Sequence, residues 1–199
     1  DALKRGMKIY SSSFPVDWMT IYLGGMYFMP GDPAFNAEVP WTNKKVRQAF
    51  LASLDMDPIM AAGIGNKAFY RVDGALFFPE QPNFHSQAGV SGYNQKSPAR
   101  AKALLAEAGY KGEPVRWITT KEYDWMYNTS LVAKQQMEAA GFTVDLQVLD
   151  WATLVQRRNK PELYDIFSTG ITFGAYPPQA ASLQCNWPGW WCQEEKDRL

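Results

Sequence analysis

A dense group of aromatic and hydrogen-bonding side chains lies in residues 119–128. Its members are Tyr123, Asp124, Trp125 and Tyr127. Aromatic rings beside a carboxylate suit the binding of an organic solute, because the rings supply apolar area and stacking while the carboxylate accepts hydrogen bonds. These four side chains are therefore candidate ligand contacts. The alternative is that Trp125 and Tyr127 only pack against a sheet.

A second pair of rings, Phe173 and Tyr176, lies further along the chain. This pair is a candidate for the same ligand surface as the first group. The two groups can share a surface only if the strands that precede them end at the same edge of a sheet. Such a surface would be one wall of a cleft. A protein-interaction module is the alternative, and it would display the same rings as a flat patch.

Patterns of catalytic and metal-binding residues are missing from the sequence. The single histidine, His85, has no second histidine or thiolate at ligand spacing, so we expect no metal site and no cofactor. The chain contains no GxGxxG after a strand, no P-loop and no GxSxG. An α/β enzyme such as a carbohydrate-active hydrolase stays as an alternative, because the chain has several carboxylates and many tryptophans.

Three predicted strands must place the candidate contacts. They span residues 114–119, 143–149 and 164–169, and predicted helices from Asp124 to Ala140 and from Trp151 to Arg158 alternate with them. Alternation at this short spacing implies parallel strands joined by right-handed crossovers. The fold class is therefore α/β, a mixed sheet with a parallel βαβαβ portion in residues 112–176.

The loops after the predicted strands are where a ligand is expected. In an open parallel sheet, ligands bind beyond the carboxyl ends of the strands, where loops lead into helix N-termini. This rule selects residues 119–128, 149–151 and 169–178. The first and third of these segments hold the two groups of rings.

The first half of the chain is predicted to combine strands, helices and an irregular segment. Residues 7–11 and 19–28 are predicted strands, and an amphipathic helix is expected from Asn43. A short helix near residues 58–62 has Asp57 as its predicted N-cap, and a further helix begins after Ser97 and ends at Gly109. Residues 63–95 have no sustained period and form an ordered, irregular excursion. We expect its rings to be held down by burial: Phe69, Tyr70, Phe77, Phe78 and Phe84.

Composition excludes two classes of partner. The formal net charge is zero, and the 20 basic residues are scattered, so we expect no nucleic-acid partner. Lys, Arg, Asp, Gly or Pro interrupts every hydrophobic stretch before it could span a bilayer.

The default reading is one domain covering residues 1–199. Because the chain opens at Asp1 without a leader, we expect it to be the interior of a longer protein.

The two cysteines, Cys185 and Cys192, lie close together in a chain with no others. A local disulfide would suit an oxidising compartment, and two unpaired thiols are the alternative.

Several motifs in register resemble the peptide/nickel/opine class of periplasmic solute-binding proteins. Residues 44–55 (KKVRQAFLASLD) are similar to its "VRQA…ID" signature, and Tyr93-Asn94 with residues 101–110 (AKALLAEAGY) to its "Y…KAKALLAEAGY" segment. In the same order, residues 135–142, Asp150-Trp151 and Tyr164-Asp165 match its "QQL…GI…V…DW…YD" pattern. The resemblance covers most of residues 19–199.

This resemblance implies a binding protein and not an enzyme. Members of the class are two-lobed, exported, and deliver a solute to the membrane permease of an ABC importer. Residues 1–199 would then be most of the second lobe, of the type II periplasmic-binding-protein kind, working outside the cytoplasmic membrane in a monomer that closes at a hinge. A Cys185–Cys192 disulfide would agree with that location.

One segment departs from the class. Peptide-binding members resemble "GW…DYPDP" at a position where an acidic side chain pairs with the ligand's α-amine, whereas Gly174 stands at that place here. A buried ammonium without a partner costs several kcal/mol, so the change argues against a simple peptide as the preferred ligand. Asp124 could substitute for the missing acid. Peptide-like, opine-like and sugar-like solutes all stay open.

Overall fold

The computed structural model describes residues 3–5, 17–23, 40–75 and 77–172 of the 199-residue chain. Within these ranges the regular elements are five α-helices and four β-strands. The helices are α1 Lys44–Ser53, α2 Met56–Ile64, α3 Pro98–Ala108, α4 Asp124–Ala139 and α5 Trp151–Arg157. The strands are β1 Asp17–Leu23, β2 Pro114–Thr120, β3 Thr143–Leu149 and β4 Ile166–Thr172.

The four strands form one mixed sheet in the order β1-β4-β2-β3. Strand β2 pairs in parallel with β3 on one side and with β4 on the other, so that Trp117 lies opposite Leu146 and Ile166. Strand β1 pairs with β4 in the antiparallel direction. The predicted α/β class and its parallel βαβαβ portion are therefore confirmed.

Strand β2 lies in the middle of the parallel portion because both of its faces are apolar enough to be covered. Val115, Trp117 and Ile118 are all buried, whereas β3 exposes Thr143, Asp145 and Val148. Helices α1, α3 and α4 contribute to one core with Trp117 and Ile166. On the other face, Leu154 of α5 packs with Ile118, Tyr164 and Phe167. Helices therefore cover the sheet on both faces.

The boundaries of β1 and β4 differ from their predicted ranges. Strand β4 begins at Ile166 and not at Tyr164, because the Asp165 carboxylate accepts hydrogen bonds from the Arg116 backbone N–H and guanidinium. Strand β1 runs over Asp17–Leu23. The predicted strand at residues 7–11 and the end of the strand predicted at 19–28 lie outside the described residues.

Local capping explains two helices as predicted and corrects a third. The Asn43 side chain accepts a hydrogen bond from Lys45 N at the start of α1, and α3 begins after Ser97 and ends at Gly109 with φ +70°. The predicted cap of α2 was wrong: its N-cap is Asp55, whose carboxylate accepts from Asp57 N. Proline is tolerated throughout a first helical turn, so Pro58 did not mark the helix start.

The excursion after α2 contains two short 3-10 turns, Lys67–Phe69 and Val90–Gly92. Phe77 is buried in it, but the expectation that all its rings are buried was wrong. Phe69 is 55% exposed and Phe84 is 41% exposed. Cationic side chains cover other rings instead, as Arg71 lies 4.5 Å from the centroid of the Phe78 ring.

The start of α2 is tied to α4 by one side chain. Gln136 accepts a hydrogen bond from Asp55 N at 2.8 Å and donates one to Asp55 O at 3.1 Å. The two bonds join the segment between α1 and α2 to α4. In the part of the chain that the structure describes, none of the helices is long and apolar enough to cross a membrane.

Candidate functional site

The loops that follow β2 and β3 lie side by side at one edge of the sheet. The parallel register places Thr120, the last residue of β2, opposite Leu149, the last residue of β3. The chain then leaves β2 through residues 121–123 into α4, and leaves β3 through Asp150 into α5. A hydrogen bond joins the loops, since Glu122 Oε1 accepts from Trp151 N at 2.8 Å.

Three aromatic side chains at this edge form a connected surface, which we call the aromatic wall: Tyr123, Trp125 and Trp151. The Tyr123 and Trp151 rings meet edge to face, with centroids 5.2 Å apart and an interplanar angle of 86°. The Tyr123 and Trp125 ring centroids are 6.3 Å apart. Tyr123 is 41% exposed, while the two tryptophans are half-buried. The wall therefore presents apolar area to solvent while its tryptophans are anchored in the fold.

Trp151 was not among the predicted contacts, although residues 149–151 were selected as a ligand-facing segment. The signal for it was its position, since it directly follows the predicted N-cap Asp150 at the carboxyl end of β3. The edge-to-face contact with Tyr123 depends on the pairing register of β2 and β3. That register cannot be read from the sequence of either strand alone.

The predicted contacts Asp124 and Tyr127 differ in their surroundings. Asp124 is the first residue of α4 and is exposed, and within the described ranges its carboxylate makes no hydrogen bond or ion pair. Tyr127 lies one turn further along, half-buried, with Lys121 Nζ 4.9 Å from its ring centroid. One face of the Tyr127 ring is thus in contact with the Lys121 side chain. The exposed Asp124 carboxylate is the more accessible of the two groups for a ligand.

The two helices that start at this edge offer different N-termini. The first turn of α5 is closed by carboxylates of the protein: Asp150 Oδ1 accepts from Thr153 N at 2.8 Å, and Glu122 accepts from Trp151 N. The hydrogen bond with Thr153 holds the pKa of Asp150 below its usual value. Helix α4 has Tyr123 at its N-cap, without a side-chain cap. Its first turn therefore keeps amides that no side chain of its N-cap occupies.

A cation lies behind the wall. Arg158, the C-cap residue of α5, has its guanidinium carbon 5.8 Å from the Trp151 ring centroid, and its Nη1 donates to Thr169 Oγ1 at 3.2 Å. This contact links α5 to β4 and places positive charge beside Trp151.

A buried chain of hydroxyl groups fixes α4 to the sheet beneath the wall. Trp117 Nε1 donates to Ser168 Oγ at 2.8 Å, and Ser130 Oγ lies 2.9 Å from Ser168 Oγ and 3.0 Å from Thr119 Oγ1. Ser130 Oγ donates to Met126 O at 2.8 Å. Because Ser130 has one hydrogen and gives it to that carbonyl, its oxygen accepts from Thr119 and Ser168. The helix that carries Trp125 is thereby held in one register on the sheet.

The remaining predicted positions are not brought into this arrangement. Phe173, Tyr176, Cys185 and Cys192 lie outside the described residues. His85 is far along the excursion, where its Nδ1 lies 2.7 Å from Phe77 O and its Nε2 lies 2.8 Å from Gln87 Nε2. In residues 3–5, 17–23, 40–75 and 77–172, no group of three or more His, Cys, Asp or Glu side chains is placed to hold a metal ion.

Comparison of the sequence with known protein families matches residues 21–189 to the bacterial extracellular solute-binding proteins, family 5 middle region. A probable peptide ABC transporter periplasmic-binding protein, y4tO of Sinorhizobium fredii, is 27% identical over 135 residues, which are 64% of this chain and 24% of that protein. The oligopeptide-binding protein AppA of Bacillus subtilis is 28% identical over 157 residues, 69% of this chain and 27% of that protein. The chain thus spans about a quarter of the length of these relatives.

Comparison of the structure with solved structures finds the same fold. AppA of Bacillus subtilis in complex with a nonapeptide superimposes with a TM-score of 0.65 at 22% identity, over 92% of this chain and 38% of that one. AgaA from A. tumefaciens R10, in complex with agropinic acid, superimposes with a TM-score of 0.61 at 20% identity, over 92% of this chain and 36% of that one. At these identities the likeness shows a shared fold.

Proposed function

The chain belongs to the bacterial extracellular solute-binding proteins of family 5, and from this membership we propose that it forms one lobe of a two-lobed protein that encloses an organic solute. In this proposal residues 1–199 are most of the second lobe, with residues 63–95 as an excursion and residues 112–176 as the ligand-facing βαβαβ portion. The other wall of the cleft belongs to a lobe outside this chain.

The observation that carries the proposal is the aromatic wall at the carboxyl ends of β2 and β3. Parallel sheets bind ligands at this edge, and here the edge carries three adjoining rings, of which Tyr123 is substantially exposed. The wall adjoins the start of α4, where the side chain of the N-cap residue Tyr123 accepts no hydrogen bond from the backbone of the first turn. Rings and amides together suit a solute with apolar area and a carboxylate or hydroxyl group.

The proposed ligand contacts are Tyr123, Asp124, Trp125, Tyr127, Phe173 and Tyr176, with Trp151 added from the structure. Asp124 supplies a carboxylate to an ammonium or hydroxyl group of the solute, in place of the acid that is missing at Gly174. One relative was solved with a nonapeptide and another with agropinic acid. We accordingly propose a peptide-like or opine-like solute, with a sugar-like solute as the remaining possibility.

Transport follows from closure around the solute. The full-length protein works outside the cytoplasmic membrane as a monomer, closes at a hinge between its lobes, and presents the closed form to the permease of an ABC importer. The disulfide between Cys185 and Cys192 belongs to this oxidising location.

The chemistry of the site favours binding over catalysis. Glu122 and Asp150 are the carboxylates nearest to the start of α5, and both accept hydrogen bonds from its backbone. The lowered pKa of Asp150 is opposite to what a general acid requires. Asp150 is therefore not suited to serve as the acid of a hydrolase.

Native mass spectrometry of the full-length protein tests this function. Purified from its own host, the protein should carry a small organic molecule that is released unchanged on denaturation. A molecule that is chemically converted on incubation with the protein would contradict the proposal and would favour an enzyme.

A further inference from the structure

The aromatic wall is built from two loops that are far apart in the chain, so something must hold them in one arrangement. Tyr123 comes from the loop after β2, and Trp151 is the first residue of α5. The body of α5 is anchored independently, since Leu154 is fully buried against Ile118 and Phe167. That core contact fixes where α5 lies, whereas the direction of its first turn needs a contact nearer to Trp151.

Glu122 makes that contact. Its Oε1 accepts the Trp151 backbone N–H at 2.8 Å, across the gap between the two loops. Its own backbone N–H donates to Thr120 Oγ1 at 3.2 Å, which ties the residue to the last position of β2. The carboxylate also lies at the positive end of α5, where a negative charge strengthens the hydrogen bond. One side chain thus connects the end of β2 with the start of α5.

We propose that Glu122 is a positioning residue of the ligand wall, which holds Trp151 edge to face against Tyr123 before any ligand arrives. A surface that is already in its binding geometry loses less conformational freedom on binding, so Glu122 raises affinity without touching the solute. The purpose of the wall rests on the proposed function, while the positioning of Trp151 does not depend on it.

The positioning is testable without a ligand, by fluorine NMR of the full-length protein labelled with 5-fluorotryptophan. The Trp151 resonance is identified by its loss in Trp151→Phe, and Tyr123→Leu gives its position when the neighbouring ring is absent. In Glu122→Ala we expect the Trp151 resonance to move at least halfway to that position. Glu122→Gln retains an acceptor oxygen and should keep the resonance near its original place. Because Glu122 is exposed, Glu122→Ala should change the Tm by no more than about 4 °C.

A matched control separates positioning from a general effect of removing an exposed glutamate. Glu107 is exposed and pairs with Lys45 at 2.9 Å, in a different part of the structure, so Glu107→Ala should leave the Trp151 resonance unchanged. An unmoved resonance in Glu122→Ala, or an equal shift in Glu107→Ala, would overturn the proposal. A Glu122→Gln resonance as displaced as that of Glu122→Ala would assign the effect to charge alone and overturn it as well.

The consequence for binding is measured separately, with a mixture of peptides of two to nine residues and native mass spectrometry of the full-length protein. With Asp124 in place of the acid that is missing at Gly174, we expect the unmodified protein to retain peptide, and Glu122→Ala to need a roughly fivefold higher peptide concentration for the same occupancy. Equal occupancy in both proteins would overturn the effect on affinity. If the unmodified protein takes no peptide, the proposed peptide-like ligand fails, and the fluorine resonance still decides whether Glu122 positions Trp151.

Discussion

The rings of Tyr123 and Trp151 meet edge to face with their centroids 5.2 Å apart, although they belong to loops that leave two different strands. The parallel register of β2 and β3 brings these loops together, so that Tyr123, the N-cap residue of α4, and Trp151, the first residue of α5, lie side by side at this edge of the sheet. In the proposed function these rings form one wall of a cleft whose other wall belongs to a lobe outside this chain.

Replacing Ser130 should destabilise the domain, because two neighbouring hydroxyl groups lose a hydrogen-bond partner. Its oxygen is the shared acceptor for Thr119 and Ser168, and all three side chains are buried. Ser130→Ala leaves both hydroxyl groups without that acceptor, and each buried unpaired group costs on the order of 1–3 kcal/mol. We expect the free energy of unfolding of the full-length protein to fall by about 2 kcal/mol in urea titrations.

A surface serine serves as the control for that experiment. Ser86 is exposed, and its hydroxyl accepts from Ala88 N at 3.1 Å. Ser86→Ala should change the free energy of unfolding by about 0.5 kcal/mol or less. Equal effects of the two substitutions would show that the hydroxyl chain does not stabilise the packing of α4.

The ion pair between Arg116 and Asp165 should stabilise the amino ends of β2 and β4. Arg116 Nη2 lies 3.0 Å from Asp165 Oδ1, and the Asp165 side chain is 5% exposed while that of Arg116 is 36% exposed. The pair raises the pKa of Arg116, mainly through this hydrogen bond. Since water can still solvate Arg116, Asp165→Asn should cost about 2 kcal/mol, below the range for a fully buried pair. Glu107→Gln, which breaks the exposed pair with Lys45, is the control, and an equal loss in both would contradict the assignment.

Several parts of the fold could be predicted from the sequence because they are local. The helix α3 has its N-cap, its first-turn proline and its glycine end within the segment itself, and the strands β2 and β3 are rich in β-branched and other apolar residues. The predicted cap at Asp57 failed because Pro58 is compatible with more than one position in a first turn. The exposure of Phe69 could not be predicted, because the sequence does not show which rings the irregular excursion turns outward.

The candidate site could be predicted only in part. Tyr123 and Trp125 follow one strand, so the general rule for parallel sheets selected them. The roles of Glu122 and Trp151 depend on a hydrogen bond between residues 29 positions apart in the sequence. A local sequence pattern does not indicate which residues so far apart will pair. Pairing register and tertiary packing decide such contacts.

The carboxylate of Glu80 should titrate far below the ordinary range. Arg71 Nη1 and Nη2 lie 2.5 and 2.6 Å from its two oxygens, and this contact is the main cause that lowers the Glu80 pKa from 4.5 to about 2. Because the folded pKa is below the unfolded one, the pair stabilises the folded state above about pH 4.5, and this contribution is lost as the pH falls towards 2. Carbon NMR of the side-chain carboxyl group measures the pKa. In Arg71→Gln it should return towards 4.5, and an unmodified protein that already titrates near 4.5 would contradict the prediction.

Cys185 and Cys192 should form a disulfide in full-length protein made under oxidising conditions. The measurement is the intact mass after alkylation, without and with prior reduction. We expect alkylation of these two cysteines only after reduction, because paired sulfurs do not react. Two alkylated thiols without reduction would show that the cysteines are unpaired.

The most direct test of the central claim compares ligand affinity with stability when Tyr123 and Trp125 are each replaced by alanine in the full-length protein. Native mass spectrometry with the co-purified solute gives the dissociation constant, and thermal unfolding of the ligand-free protein gives the Tm. Phe69→Ala removes a ring that is 55% exposed and belongs to the irregular excursion, not to the sheet edge, and it is the control. We predict that each wall variant weakens binding by about tenfold or more, with a small loss of Tm, and that Phe69→Ala leaves binding unchanged. Unchanged binding in the wall variants, or a loss of several kcal/mol in the ligand-free protein, would show that these rings serve the core and not a ligand.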